Sequence, residues 1–212
     1  MLGILCGLES EAKIARRIGG ARVACAASRP HKARELAREL AAQGATRLMS
    51  FGIAGALHES VGLGDVLIGT EVISSQGKWA CDAVWSASLA AQMPQAKRGG
   101  VYGSETLVPT GQEKQALYQE TGCLIVDMES QCAAEAAAEA GLPFMVVRAV
   151  CDDARMSVPP VVMAAIADDG SIAIGRALSH IVRQPSQLVD LFHVARGTNK
   201  ALVALGKAKT FI

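Results

Sequence analysis

Residues 123–153, C-L-I-V-D-M-E-S-Q-C-A-A-E-A-A-A-E-A-G-L-P-F-M-V-V-R-A-V-C-D-D, constrain the fold more than any other part of this chain. Residues 124–126 and 144–150 are short apolar runs rich in β-branched side chains, the pattern of buried strands. Between them lie an acidic helix start, an alanine-rich helix and a break at Gly141-Leu142-Pro143. Strand, helix and strand of this length predict a βαβ unit with a right-handed crossover. Ligands of such sheets bind beyond the carboxyl ends of the strands. Asp127, Met128 and Glu129 leave the first strand there, and Cys151, Asp152 and Asp153 leave the second. The pattern predicts acidic groups converging on one cleft.

The rest of the chain continues the alternation. Residues 2–6 and 22–27 read as strands, with a short helix over 10–18 between them. Pro30 opens a helix whose Ala33, Leu36, Ala37 and Leu40 share one face, and Gly44 stops it. Residues 48–52 and 65–73 read as strands separated by a glycine-rich turn. Residues 74–97, with Trp79 and Trp85, carry no clear period. A strand over 101–108 and a helix over 113–121 precede the βαβ unit, and two helices, over 161–182 and 186–207, follow a proline-containing loop. This order gives an α/β fold with helices on both faces of a central sheet.

Composition excludes several classes. At 212 residues, one domain can bury about 70% of its unfolded surface. Half of the residues are hydrophobic but only 4% are aromatic, so the expected core is aliphatic. A net charge of +1, without a long basic run, argues against a nucleic-acid partner. The six cysteines show no C-x-x-C or histidine-paired spacing, which favours buried free thiols over disulfides and gives no metal site. No apolar stretch approaches the roughly 20 residues that span a bilayer, and residues 1–6 lack a signal-peptide pattern. A cytoplasmic protein is expected.

Six motifs then occur in order: GLESE (7–11), FGIAGAL (51–57), GLGDV (62–66), GSETLV (103–108), VDMES (126–130) and VRAVCDD (147–153). Together they resemble the purine nucleoside phosphorylase and methylthioadenosine/S-adenosylhomocysteine nucleosidase superfamily. The resemblance implies a single-domain three-layer α/β/α fold over residues 1–212 with a central mixed sheet, plus an added C-terminal helix over 185–207. It also implies a homo-oligomer, dimer or larger, without cofactor or metal, phosphate being an alternative co-substrate.

Cleaving an N-glycosidic bond requires a proton for the leaving base, a hold on the sugar as it becomes an oxocarbenium ion, and a nucleophile at the anomeric carbon. By the resemblance, Asp152 donates the proton, and an apolar strand end would favour its protonated form. Asp153 is its neighbour and rival, and either could simply cap the loop. Glu129 matches the residue that accepts from the ribose hydroxyls, with Met128 against the sugar; a glutamate there also complements a helix start. Glu11 matches the carboxylate that activates water, with Glu9 as the competitor. Arg148, costly to bury unless paired, resembles the arginine at the ribose and nucleophile end, and a structural pair with Glu129 is the alternative. Leu107 and Val108 match the segment against the base. Ile53, Ala54 and Gly55 belong to a small-residue turn that lets backbone approach the sugar.

The chain departs from the family where phosphate would bind. Ile53 stands where a serine or threonine is usual, and Ser50 where phosphorylases tend to carry arginine. Leu107 replaces a common aromatic, which implies looser stacking. The His-Asp and aromatic loop of the methylthioadenosine nucleosidases is not visible in residues 74–85, leaving the 5′ end open. In the last helix, Leu188, Leu191, Phe192, Ala195 and Leu202 form an apolar stripe beside Arg196, Lys200, Lys207 and Lys209. Packing on the core is the plain reading; a basic amphipathic helix also suits an anionic membrane surface. These features resemble the hopanoid-associated phosphorylase branch, whose expected substrate is an adenosyl-bearing, lipid-linked nucleoside. Phosphorolysis in the same site and a non-catalytic nucleoside-binding module are the alternatives.

Overall fold

The computed structural model describes residues 1–159, 162, 165–171 and 188–212. Its elements run β1 (Leu2–Cys6), α1 (Glu9–Ala15), β2 (Ala21–Cys25), α2 (Pro30–Ala42), β3 (Arg47–Ala56), β4 (Val66–Ser74) and β5 (Gly77–Ala80). They continue with α3 (Ala83–Gln92), β6 (Lys97–Gly103), α4 (Gly111–Thr121), β7 (Ile125–Asp127), α5 (Ser130–Glu139), β8 (Phe144–Asp152) and α6 (Leu188–Ala208). The helix expected over residues 161–182 lies largely outside the described residues, as do the side chains of Leu188 and Leu191.

The strands make one mixed sheet, and five of them close into a ring. β3 runs parallel to β8, β8 antiparallel to β4, β4 parallel to β6, β6 parallel to β7, and β7 antiparallel to β3. β1 and β2 extend the ring from β3, and β5 extends it from β4. The expected aliphatic core is present: Leu48, Met49, Leu67, Ile68, Met145, Val146 and Val147 are all buried. α2 buries Ala33, Ala37 and Leu40, with Leu36 partly covered, on the face its period predicts. All six cysteines are free thiols.

Three sequence expectations need correction. β7 and β8 do not form a βαβ pair, because β3 lies between them, antiparallel to one and parallel to the other. Three-residue β7 satisfies its backbone against β6 and the far end of β3 instead. The two strand ends still meet, because Val126 and Asp152 both register with Gly55. Residues 52–55 are strand rather than turn. They belong to β3, and a register shift at Ala54/Gly55 bends it. Their smallness serves space instead: a methyl group on Gly52 would meet the Glu11 carboxyl carbon at 2.7 Å, and one on Gly55 would meet Asp152 Oδ1 at 2.9 Å. Finally, β6 ends at Gly103, so Leu107 and Val108 belong to a loop.

α6 packs differently from its predicted stripe. Gly197, Ala201, Leu205 and Ala208 form its buried face, while Phe192 and Val203 are 67% and 54% exposed. Gly197 sits directly against the Cys151 carbonyl, a contact that only a residue without a side chain permits. The plain reading of this helix, packing on the core, therefore holds from Gly197 to Ala208.

Candidate active site

A cavity of about 480 Å³ lies where β3, β7 and β8 end. Glu11, Ile53, Ala54, Gly55, Leu107, Met128, Glu129 and Asp152 line it together. Val108 is not among the lining residues; it packs against Leu57, Cys123 and Val126. Glu9 turns away to pair with Arg16 at 2.6 Å. Asp153 is exposed and accepts from the Arg155 backbone N–H at 2.9 Å.

Arg148 is also absent from the lining: it is fully buried among Asp127, Glu129, Ser50 and the Ile53 carbonyl. Its Nε lies 2.8 Å from Asp127 Oδ2, an ionic contact too poorly aligned to count as a hydrogen bond. Its Nη2 donates to Ser50 Oγ at 2.6 Å and to Glu129 Oε2 at 3.3 Å, and Nη1 to the Ile53 carbonyl at 3.2 Å. Burial alone would weaken its charge, but Asp127, Glu129 and Glu11 outweigh that and raise its pKa. The structural pairing with Glu129 is thus present, and Arg148 meets the cavity only through its partners. Asp127 also accepts from the backbone N–H groups of Glu129 and Ser130 at 3.0 and 2.8 Å, which fixes the start of α5.

Glu11 is held by backbone. Oε2 accepts from the N–H groups of Gly7 and Leu8, each at 2.8 Å, and Oε1 from that of Ile53 at 2.9 Å. Burial pushes its pKa up, against the opposing pull of Arg148 and these three N–H groups. Glu129 packs directly on Gly7, where an added methyl would meet Oε1 at 2.6 Å. That Oε1 is buried without a hydrogen-bond partner among the described residues. Burial first, and the neighbouring charges of Asp127 and Glu11 after it, push Glu129 up to about 8 despite Arg148.

This shift sets a pH dependence. A carboxyl that titrates higher in the fold than in the unfolded chain makes the native state the better proton binder between the two values. Stability from Glu129 is present below about 4.5 and is lost as pH rises towards about 8. Urea midpoints should therefore fall across that window, and Glu129→Gln should flatten the fall. A wild-type midpoint as flat as the variant's would mean that Glu129 keeps its charge.

Around Asp152 the sequence expectation changes. The strand end is not simply apolar: the ammonium of Lys114 pairs with Asp152 Oδ2, and the Lys114 side chain is only 1% exposed. Sequence reasoning missed this lysine, since it lies in the polar run G-Q-E-K-Q, which reads as solvated. It also missed the apolar wall opposite the carboxylates, built from Val158, Val162, Ala165, Ile166, Val194 and Leu202. No local signal marks that wall, because its residues come together only when α6 folds back on β8. Of the predicted stripe, Ala195 and Leu202 line the cavity.

Fold and site define an α/β protein with a carboxylate-floored, apolar-walled cavity at its strand ends. More particularly, the chain belongs to the phosphorylase superfamily, whose family model matches residues 13–183. No curated protein sequence matches it significantly. Among solved structures it is similar to futalosine hydrolase of Helicobacter pylori, at 16% identity over 86% of this chain and 97% of that one, with a TM-score of 0.69. It is similar also to the H. pylori 5′-methylthioadenosine/S-adenosylhomocysteine nucleosidase bound to butyl-thio-DADMe-Immucillin-A, at 14% identity over 100% and 98% of the two chains, with a TM-score of 0.70. The S-adenosylhomocysteine nucleosidase of Streptococcus pyogenes, in complex with 5-methylthiotubericidin, matches at 16% identity over 91% and 94%, with a TM-score of 0.66. At these identities the likeness shows a shared fold.

Proposed function

We propose that this protein hydrolyses the N-glycosidic bond of an adenosine-type nucleoside and releases adenine. The observation that carries this reading is the meeting of Glu11, Glu129 and Asp152 on one cavity, each in a different electrostatic setting. Asp152 delivers the proton to the leaving base, with Leu107 beside it. Glu129 takes the ribose hydroxyls on its unpartnered Oε1, and Met128 packs against the sugar. Glu11, whose two oxygens already accept three N–H groups, has capacity left to orient and deprotonate a water. Ile53, Ala54 and Gly55 supply a wall thin enough for the sugar to approach.

Water is favoured over phosphate by charge. Among the described residues, the buried charged side chains are four carboxylates, Glu11, Asp127, Glu129 and Asp152, and two cations, Arg148 and Lys114. Both cations are already paired. No described buried cation is left free to hold a phosphate dianion, while the Glu11 carboxylate can stabilise a developing oxocarbenium ion. Ile53 and the internally bonded Ser50 offer phosphate no hydroxyl.

The apolar wall supports a bulky apolar 5′ substituent, such as the lipid-linked adenosyl group expected from the resemblance. Exposed Phe192 and Val203 on α6, next to exposed Arg196, Lys200 and Lys207, would suit contact with an anionic membrane surface. Among the described residues no helix is long and apolar enough to cross a membrane. A homo-oligomer remains part of the proposal.

The test is adenine release from adenosine and a 5′-alkylthio series, with and without phosphate. Free ribose products and rates indifferent to phosphate are expected. kcat/KM should rise by about fourfold per added methylene, the equivalent of about 0.8 kcal/mol per buried CH₂. Phosphate-dependent release of a sugar phosphate would establish phosphorolysis instead. Tight binding without release would make this a binding module, and a flat alkyl series would remove the apolar substituent.

A further inference from the structure

Lys114 is the feature that the reading above leaves unused. A lysine side chain at 1% exposure is rare, because its charge must be matched where no water reaches it. All three of its N–H donors are committed: one to Asp152 Oδ2, one to the Asp153 carbonyl at 2.9 Å and one to the Met156 carbonyl at 3.0 Å. It also sits in the first turn of α4, where the helix dipole disfavours a cation. Local preference therefore does not explain its place, and the Thr110–Glu113 capping box supplies the helix start without it. The segment it reaches is tied to α4 in two further places. Val158 N–H donates to the Pro109 carbonyl at 2.7 Å, and a methyl on Gly111 would meet the Arg155 carbonyl oxygen at 3.0 Å.

The consequence falls on Asp152. With Oδ2 occupied by the ammonium, Oδ1 is the oxygen left for a ligand. Oδ1 lies over Gly55, where a side chain would displace it, and accepts a weak bond from Cys151 Sγ at 3.3 Å. We propose that Lys114 is a positioning residue that reserves Asp152 Oδ1 for the leaving base and holds the carboxylate that Asp152 becomes. This rests on Asp152 being the proton donor. As the C–N bond breaks, its electron pair passes to the base and the Oδ1 proton moves to a base nitrogen. Asp152 is left as a carboxylate. The ammonium stabilises that carboxylate more than the neutral acid, so its attraction grows along the reaction coordinate.

A merely structural lysine would lower stability and rate alike, whereas this role makes a directional demand. Lys114→Met should leave Asp152 Oδ2 unpaired and the carboxyl free to turn away from the base. With 5′-methylthioadenosine in phosphate-free buffer, kcat should drop by about ten- to a hundredfold, with KM changed less than about threefold. Lys114→Arg, which keeps the charge, should restore most of the lost kcat. In an Asp152→Asn background, Lys114→Met should cost less than about threefold, since the two act as one unit. Additive losses, no rescue by Lys114→Arg or near-wild-type kcat would each overturn the proposal and leave Lys114 as an anchor for the 153–156 turn. Where Lys114→Met does not fold, Lys114→Gln reads the same quantities. Should Asp152→Asn by itself retain turnover, the assignment of Asp152 fails first, and the single variants distinguish the two failures.

Discussion

Replacing Asp152 with asparagine is expected to slow adenine release by at least about a hundredfold, the low end for a positioned general acid. Asparagine keeps the shape of the side chain but cannot surrender a proton to the base. KM should move far less, because the proton is transferred only on the way to the transition state. The same change strands the Lys114 ammonium in a buried site. Breaking a buried pair from one side costs about 3–5 kcal/mol, so a lower melting temperature should accompany the loss of rate. Single-turnover release, measured well below the variant's melting point, separates the two effects. Near-wild-type release from an unactivated nucleoside would remove Asp152 from the chemistry.

Glu11→Gln should be nearly as damaging, for a different reason. Three backbone N–H groups point at the two oxygens of this carboxylate. An amide must turn its NH₂ towards at least one of them, leaving donor against donor at about 1–3 kcal/mol. It also loses the basicity needed to take a proton from water. The expected drop in hydrolysis is at least about a hundredfold, together with a measurable loss of stability. Burial lifts the Glu11 pKa, so its acid limb should lie above that of an ordinary carboxylate. Unimpaired hydrolysis by Glu11→Gln would shift attention to another base.

How much of this could be read from the sequence depended on the range of the interaction. α2 was legible because Ala33, Leu36, Ala37 and Leu40 encode their own face. Glu11, Glu129 and Asp152 were legible as acids at strand ends, and resemblance to a family ordered them. The β7–β8 pairing was misread because strand neighbours are chosen by distant residues, here Gly55 and its partners in β3. Residues 52–55 looked like a turn because small residues serve both turns and crowded strands. β5 and α3 stayed hidden in residues 74–97: one is four residues long, and the other is capped by Asp82, whose side chain accepts from the Trp85 N–H at 2.8 Å. Lys114 could not be found at all, since nothing local separates a buried lysine from a solvated one.

The closed ring of β3, β8, β4, β6 and β7 has a consequence for how such a protein changes over time. The floor of the cavity hangs on that ring or on α1 and α5 beside it, and each of its strands is braced by neighbours on both sides. The opposite wall is carried by Val158, Ala165, Ile166 and α6, none of which contributes a strand to the ring. Reaction and recognition therefore sit on different elements, joined where Gly197 meets Cys151 and where Val158 is tied to Pro109. Substitutions in the wall can reshape what the cavity admits while the acids keep their spacing, so substrate range can drift in this scaffold without the chemistry being rebuilt.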